Sequence, residues 1–107
     1  MKVLLDECLP KRLKRELPSH EVTRVQEMGW AGIKNGALMH LIQSADFDVF
    51  MTIDGNLEYQ QNLSAINFAI VVLDAPDNTF DTLRPLMPQV IEALKIIKVR
   101  EIVHIDV

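Results

Sequence analysis

The stretch VFMTID at residues 49–54 indicates the fold class of this chain, and two other stretches repeat its pattern. Residues 3–6 are VLLD and residues 69–74 are AIVVLD, so three short apolar runs each end in an aspartate. Runs this short and this rich in Val, Ile and Leu are typical of strands in a parallel sheet, which is covered on both faces. We therefore expect three central strands with a carboxylate at the end of each.

The segments between these runs alternate between helical and extended patterns. Pro10 opens a predicted helix at residues 10–17, and Asn35 is the expected N-cap of a second helix at residues 35–45. The first of these helices is expected to bury a stripe made of Leu9, Leu13 and Leu17. The other predicted elements are strands at residues 2–5, 20–25, 48–53, 68–73 and 102–105, a short polar helix at 57–63, and a long helix at 79–97 with irregular first turns at Pro85 and Pro88. This alternation predicts an α/β fold, a three-layer α/β/α sandwich around a mostly parallel five-stranded sheet, as a single domain over residues 1–107.

Composition favours a globular protein that works away from membranes. Of 107 residues, 49% are hydrophobic and 24% are charged, and no apolar stretch is long enough to cross a bilayer. The first residues do not resemble a signal peptide. Cys8 is the single cysteine, which excludes an internal disulfide and fits the reducing cytoplasm.

Charge is distributed unevenly along the chain, whose net charge is −4. Residues 1–34 carry seven Lys or Arg against five acids, whereas residues 35–83 carry seven acids and no Lys or Arg. The net charge argues against tight nonspecific binding to duplex nucleic acid. Four cations in the first predicted helix are RNA contact candidates, although a solvated helix face would give the same pattern. They are Lys11, Arg12, Lys14 and Arg15.

The acids at the strand ends predict a divalent-metal site. Asp6 and Glu7 follow the first strand, Asp54 the third and Asp74 the fourth, and ligands of open α/β sheets bind beyond the carboxyl ends of the strands. Gathered carboxylates are costly unless a cation or a proton offsets them, and magnesium accepts two or three carboxylates together with waters. The alternative is that each Asp begins a turn or caps a helix, and it is strongest for Asp74 because the turn-like sequence APDN follows. His104, in the last strand, is expected to be structural.

A phosphoreceiver domain would use similar positions. In such domains an acid pair after the first strand binds magnesium, and an Asp after the third strand accepts a phosphoryl group. Asp6, Glu7 and Asp54 fit these places. The expected Ser or Thr after strand four and Lys after strand five are missing, which ranks this alternative low.

Residues 4–13, LLDECLPKRL, resemble the opening of the PIN-like domains related to VapC-type toxins, which commonly begin with a strand followed by Asp-Glu-Asn-Leu-Pro. The resemblance covers residues 1–75 closely and the remainder loosely. Further matching stretches are HEV at 20–22, MGW at 28–30, the segment 35–38, DVFMTIDGNL at 48–57 and YQQNL at 59–63.

The resemblance implies a PIN-like nuclease that hydrolyses RNA phosphodiesters with Mg²⁺ or Mn²⁺, often as a toxin paired with an antitoxin protein. By position, Asp6 and Asp54 are its metal acids, and Asn56 occupies a place near the metal. Glu7 and Asp74 are further candidates. Relatives usually supply a helical carboxylate where this chain has Ala37, so the alternative is a catalytically weakened PIN-like domain that binds protein or RNA. Association of two copies as a homodimer is left open.

Overall fold

All five predicted strands are present in the computed structural model, which describes residues 1–57 and 63–106. The first and last strands have the predicted bounds, and the ends of the other three differ from the predicted ones by at most one residue. The strands are β1 (Lys2–Leu5), β2 (Glu21–Arg24), β3 (Val49–Thr52), β4 (Ala69–Leu73) and β5 (Ile102–Ile105).

The sheet is parallel throughout, so the prediction of a mostly parallel five-stranded sheet is confirmed. Its strand order is β2-β1-β3-β4-β5, and each neighbouring pair is parallel. Strand β2 lies on one side of β1, whereas β3, β4 and β5 follow on the other side. The direction in which the sheet grows therefore reverses between β1 and β3. In doubly wound sheets, the crevice beyond the carboxyl ends at such a reversal is the usual ligand site.

Each face of the sheet has its own apolar core because neighbouring residues of a strand point to opposite faces. Strands β1, β3 and β4 are buried along nearly their whole length, as expected for central parallel strands. Alternate residues of these strands belong to two separate hydrophobic clusters. One cluster contains Leu4, Phe50 and Ile70, and the other contains Leu5, Met51 and Val71. The α/β class is therefore confirmed, while the three-layer sandwich stays a prediction.

The helices are shorter than the sequence predicts. They are α1 (Asn35–Ser44), α2 (Phe80–Leu83) and α3 (Met87–Leu94), with 3₁₀ helices at Lys11–Glu16, Val25–Met28 and Arg84–Leu86. The single long helix predicted at 79–97 is wrong: a 3₁₀ turn at the first of its two prolines divides it into α2 and α3. A proline lacks the N–H that a continuous helix requires, so each lies in the first turn of its own short helix.

The first predicted helix is a 3₁₀ helix, but its buried stripe is confirmed. Leu9, Leu13 and Leu17 are all at most 1% exposed and belong to the cluster that contains Leu5. The polar helix predicted at 57–63 falls mostly outside the described residues. In the described parts of the chain, no helix has the length and apolar character needed to span a membrane.

Candidate functional site

Asp6 and Asp54 leave the sheet on the two sides of its order reversal. Asp6 directly follows β1, and its N–H donates to the Met51 carbonyl at 2.9 Å, which extends the ladder between β1 and β3 by one bond. Asp54 lies two residues after the last residue of β3. The fold therefore brings these two predicted site residues to the same edge of the sheet.

Thr52 connects the two aspartates through one hydroxyl group. The Thr52 hydroxyl donates to Oδ2 of Asp6 at 2.6 Å and accepts from the backbone N–H of Asp54 at 3.0 Å. Thr52 is fully buried, and it is the only polar side chain classed as buried among the described residues. A buried hydroxyl is costly unless it is hydrogen-bonded, and both functions of this one are used. The position of the Asp6 carboxylate is thus fixed relative to the backbone of Asp54.

Asn35 orients the second carboxylate from the start of α1. Its side-chain amide donates to Oδ2 of Asp54 at 3.1 Å, and the backbone N–H of Asn56 donates to Oδ1 at 3.0 Å. The predicted N-cap role of Asn35 is wrong, because Lys34 occupies the cap position and Asn35 is the first helical residue. The amide of Asn35 faces the aspartate instead. Asn56 is brought to the site by its backbone, in the local turn that an Asx side chain forms with the N–H two residues on.

The environment of Asp6 disfavours its charged form. Burial raises the pKa of Asp6, and the negative charges of Glu7 and Asp54 raise it further. Hydrogen bonds from Thr52 and from the Glu7 N–H act in the opposite direction but do not cancel the rise. An ionised Asp6 is therefore under electrostatic stress that a nearby cation would relieve.

Glu7 points away from the two aspartates toward the glycine loop. Its Oε1 accepts from the N–H of Gly32 at 3.0 Å, and its carbonyl accepts from the Gln26 side chain at 2.9 Å. Gly32 has a φ of 79°, a left-handed conformation that glycine adopts without steric cost and that aims its N–H at Glu7. Glu7 consequently helps to order the loop, and its carboxylate has a protein partner.

Asp74 is paired with a histidine on the neighbouring strand. Its two carboxylate oxygens lie 3.1 Å and 3.3 Å from Nδ1 of His104 in β5. Asp74 is nevertheless close to the turn after β3, because its Oδ1 lies 4.0 Å from where a Cβ on Gly55 would be. The structural role expected for His104 thus has a definite partner that the sequence did not reveal.

Cys8 is unsuited to act as a nucleophile at neutral pH. Its thiol is half-buried, and burial, together with the charge of Asp6, raises its pKa to about 11. Only the thiolate is an effective nucleophile, so the neutral thiol at this position is inert. The backbone carbonyl of Cys8 accepts a hydrogen bond from the side chain of Asn78 at 2.8 Å. This bond joins the loop after β1 to the loop before α2.

The donor set formed by Asp6 and Asp54 fits a hard divalent cation. Each of their four carboxylate oxygens accepts one hydrogen bond from the described residues, and an ionised carboxylate oxygen has lone-pair capacity for a metal as well. Such hydrogen bonds orient carboxylate ligands, and Mg²⁺ commonly binds through two carboxylates and several waters. Within residues 1–57 and 63–106, no three His, Cys, Asp or Glu side chains form a group that could hold a metal ion. A metal here would therefore rely on this pair.

The four predicted RNA contact residues lie together in the 3₁₀ helix that follows the Asp6 loop. Lys11, Arg12 and Arg15 are exposed, and Lys14 is partly exposed.

Comparison of the chain with protein-family models, with curated proteins and with solved structures gave no match.

The sequence analysis did not predict the contacts of two residues with these aspartates. Thr52 carried a signal, because it is the one polar residue in the apolar run 49–53 and it stands two positions before Asp54. Asn35 carried no comparable signal, because its contact depends on how α1 packs on the sheet.

Proposed function

We propose that this protein is a PIN-like, metal-dependent ribonuclease that hydrolyses RNA phosphodiesters at the Asp6–Asp54 pair. The observation that carries the proposal is the hydroxyl of Thr52, which joins the carboxylate of Asp6 to the backbone N–H of Asp54 at the order reversal of the parallel sheet. The resemblance of residues 4–13 and 48–57 to PIN-like domains supports the same assignment.

In this proposal, Asp6 and Asp54 hold Mg²⁺ or Mn²⁺ and the neighbouring residues orient them. When bound, the cation would polarise the phosphodiester and lower the pKa of an attacking water. Thr52 and Asn35 fix the rotamers of the two carboxylates, and the N–H of Asn56 holds the remaining oxygen of Asp54. Preorganised carboxylates avoid reorganisation when the substrate binds.

The test is cleavage of single-stranded RNA with Mn²⁺, by the wild type and by Asp6→Asn and Asp54→Asn. We expect both variants to lose activity by about 100-fold or more, because a metal ligand is worth several kcal/mol in the transition state. Asp106→Asn is the matched control, since Asp106 follows β5 and is exposed. Circular dichroism must show that all variants are folded.

Two results would contradict the proposed ribonuclease activity. One is a wild type that neither cleaves RNA nor binds Mn²⁺, and the other is equal activity in the wild type and both aspartate variants.

A second candidate is a PIN-like domain that binds RNA or protein without efficient catalysis. The specific observation is the lack of a third acid beside Asp6 and Asp54 in the described residues, where the amide of Asn35 contacts Asp54 instead. Asn35→Asp would add a carboxylate about 3 Å from the Asp54 oxygen, given the present contact of 3.1 Å. Ala37 is two residues further along α1, so the same addition there would point to a different side of the helix.

Variants at Asn35 and Ala37 distinguish the ribonuclease from the binding domain. If activity or Mn²⁺ affinity rises in Asn35→Asp and not in Ala37→Glu, the natural site is a weakened one and the binding role is favoured. If Asn35→Asp loses the activity of an active wild type, the amide belongs to a working site and the enzyme is favoured.

We further propose that the protein is the toxin of a toxin–antitoxin pair and that it acts in the cytoplasm, where the free thiol of Cys8 would persist. Induced expression of the wild type is expected to slow growth, and expression of Asp54→Asn is not. Equal growth in both cultures would contradict the toxin role, whereas a neighbouring reading frame for a small antitoxin-like protein would support it.

The phosphoreceiver alternative lacks two of the residues that it requires. Strands β4 and β5 are followed by Asp74 and Asp106, at the places where such domains carry a Ser or Thr and a Lys.

A further inference from the structure

The basic 3₁₀ helix at Lys11–Glu16 has a regular arrangement of side chains. A 3₁₀ helix has three residues per turn, so side chains three positions apart lie above one another. Lys11 and Lys14 therefore form one column, and Arg12 and Arg15 form a second column. The third column begins with Leu13, which is fully buried in the core. The same column continues with Glu16, which is partly exposed and forms an ion pair with Arg84, so it is the burial of Leu13 that leaves both basic columns outside the core.

The four cations border one cleft. Its volume is about 250 Å³, and the side chains that line it are those of Lys11, Arg12, Lys14 and Arg15. A cleft with four cationic side chains and no acid among the described residues that line it favours an anionic occupant, because like charges facing one cleft repel one another until an anion fills it.

Two of the four cations are held in place by neighbouring residues. Lys14 forms an ion pair with Glu27, and the guanidinium of Arg12 lies 4.0 Å from the centre of the Phe80 ring. Stacking on an aromatic ring uses the face of a guanidinium and leaves its N–H edges available for phosphate oxygens. Arg12 is thereby preorganised for an anion.

The other two cations, Lys11 and Arg15, are exposed and have no partner in the described parts of the chain. Their charge is available to a ligand at no cost of breaking an ion pair. They are therefore the residues whose removal should affect an anionic ligand most and the fold least.

A chain of contacts connects the cleft with the carboxylate pair. Glu27, the partner of Lys14, also accepts from the N–H of Arg24, whose register partner in β1 is the residue before Asp6. The adjacent Gln26 donates to the carbonyl of Glu7. The cleft and the carboxylates are thus tied to the same edge of the sheet through the 3₁₀ helix Val25–Met28.

We propose that this cleft binds backbone phosphates of single-stranded RNA that flank the scissile bond, an inference that rests on the proposed function. Two columns of cations suit a run of phosphodiesters, for which Arg offers bidentate and Lys single contacts. The cationic surface is only one short helix, and residues 35–83 carry seven acids without a Lys or Arg. Such a surface contacts a few phosphates of one strand and repels the rest of a duplex.

The test measures binding of a fluorescein-labelled oligouridylate by anisotropy in EDTA, where neither metal binding nor cleavage is needed. The variant is Lys11→Gln with Arg15→Gln. The matched control is Lys95→Gln with Lys98→Gln, which removes the same charge from the segment between α3 and the amino end of β5. We expect the first variant to bind about tenfold more weakly, and its slope of log Kd against log salt to fall by about 0.7 for each lost phosphate contact. The control should bind within about twofold of the wild type.

Equal weakening in both double variants would overturn the proposal, because it would show an effect of net charge alone. Absence of RNA binding by the wild type at low salt would also overturn it, as would tighter binding of oligoglutamate than of RNA, which would indicate an acidic protein as the occupant. The proposed function is judged separately. If the wild type cleaves RNA and the Lys11→Gln, Arg15→Gln variant binds RNA as well as the control does, RNA binding by the cleft is refuted and the ribonuclease activity stands. If that variant binds RNA more weakly but the wild type cleaves no RNA, the ribonuclease activity is refuted and RNA binding by the cleft stands.

Discussion

The chain uses the same sequence feature, an aspartate at the end of a buried strand, in two different ways. Between β1 and β3, Asp6 and Asp54 are joined by Thr52 and receive only neutral hydrogen-bond donors among the described residues. Beyond β4, Asp74 is paired with His104, a side chain that can carry a positive charge. The neighbouring strand therefore decides whether a strand-end carboxylate is paired with a side chain that can be cationic or only with neutral donors.

This difference explains why the three aspartates are not equivalent candidates for metal binding. The Asp6–Asp54 pair combines two like charges and partial burial, and its hydrogen bonds orient the carboxylates without neutralising them. The Asp74–His104 pair is about 40% exposed on both side chains, so water screens its charge as well. Of the two pairs, only the first lacks a cationic partner among the described residues, which is why we propose it as the metal site.

The largest change in stability is expected from Thr52→Val. Valine has nearly the same shape, but it leaves the Asp6 carboxylate without its hydroxyl donor and the Asp54 N–H without its acceptor. Unpaired polar groups in such a place cost about 1–3 kcal/mol. The melting temperature should fall by about 4–8 °C for each kcal/mol in a domain of this size.

Thr52→Ser and Thr23→Val are the controls for this measurement. Serine keeps the hydroxyl and should retain most of the stability. Thr23 lies in the edge strand β2 and is partly exposed, so a valine there should be nearly neutral. If Thr52→Val melts at the wild-type temperature, the hydroxyl bridge is not a structural link and the contrast between the two regions fails.

A smaller effect of opposite sign is expected from Asp6→Asn, which should raise the melting temperature in EDTA at neutral pH. Because the folded-state pKa of Asp6 is raised, protonation favours the folded state, and this contribution is lost as pH rises through the folded pKa. The asparagine variant does not pay this electrostatic cost. Its advantage over the wild type should therefore grow from the ordinary pKa of 3.8 upward and reach a plateau above the folded pKa.

Melting curves recorded by circular dichroism over this pH range check the sign. A variant that is less stable than the wild type at neutral pH, with a deficit that grows as pH rises, would show that Asp6 is favourably compensated in the folded protein.

The smallest effect is expected from His104→Gln in the second region. Its pairing with Asp74 is half-exposed, and exposed ion pairs contribute about 0–1 kcal/mol. Urea denaturation should give a free energy of unfolding within about 1 kcal/mol of the wild type. RNA cleavage should also be retained. Loss of cleavage in a folded His104→Gln protein would mean that the second region belongs to the site after all.

The fold was predictable because the central strands are continuous apolar runs between turn signals. The same reasoning brought Asp6 and Asp54 together, since parallel strands end at one edge of a sheet. The contact of Asn35 with Asp54 was not predictable, because it depends on the packing of α1 rather than on any local pattern. The pairing of His104 with Asp74 likewise depends on which strand lies beside β4 and in what register.

The boundaries of helices were harder to predict than those of strands. Prolines inside an otherwise helical pattern permit either a distorted helix or separate short ones, and the chain forms the separate helices α2 and α3. The segment after Pro10 has the leucine spacing of an α-helix, yet it forms a 3₁₀ helix that buries the same leucines.

Metal binding by the Asp6–Asp54 pair is tested most directly by calorimetric titration of Mn²⁺ into the wild type, Asp54→Asn and Asp74→Asn. We expect one binding site in the wild type, a similar affinity in Asp74→Asn, and loss of binding in Asp54→Asn. Binding that disappears in Asp74→Asn and persists in Asp54→Asn would contradict this expectation, and so would a wild type that binds no Mn²⁺ at all.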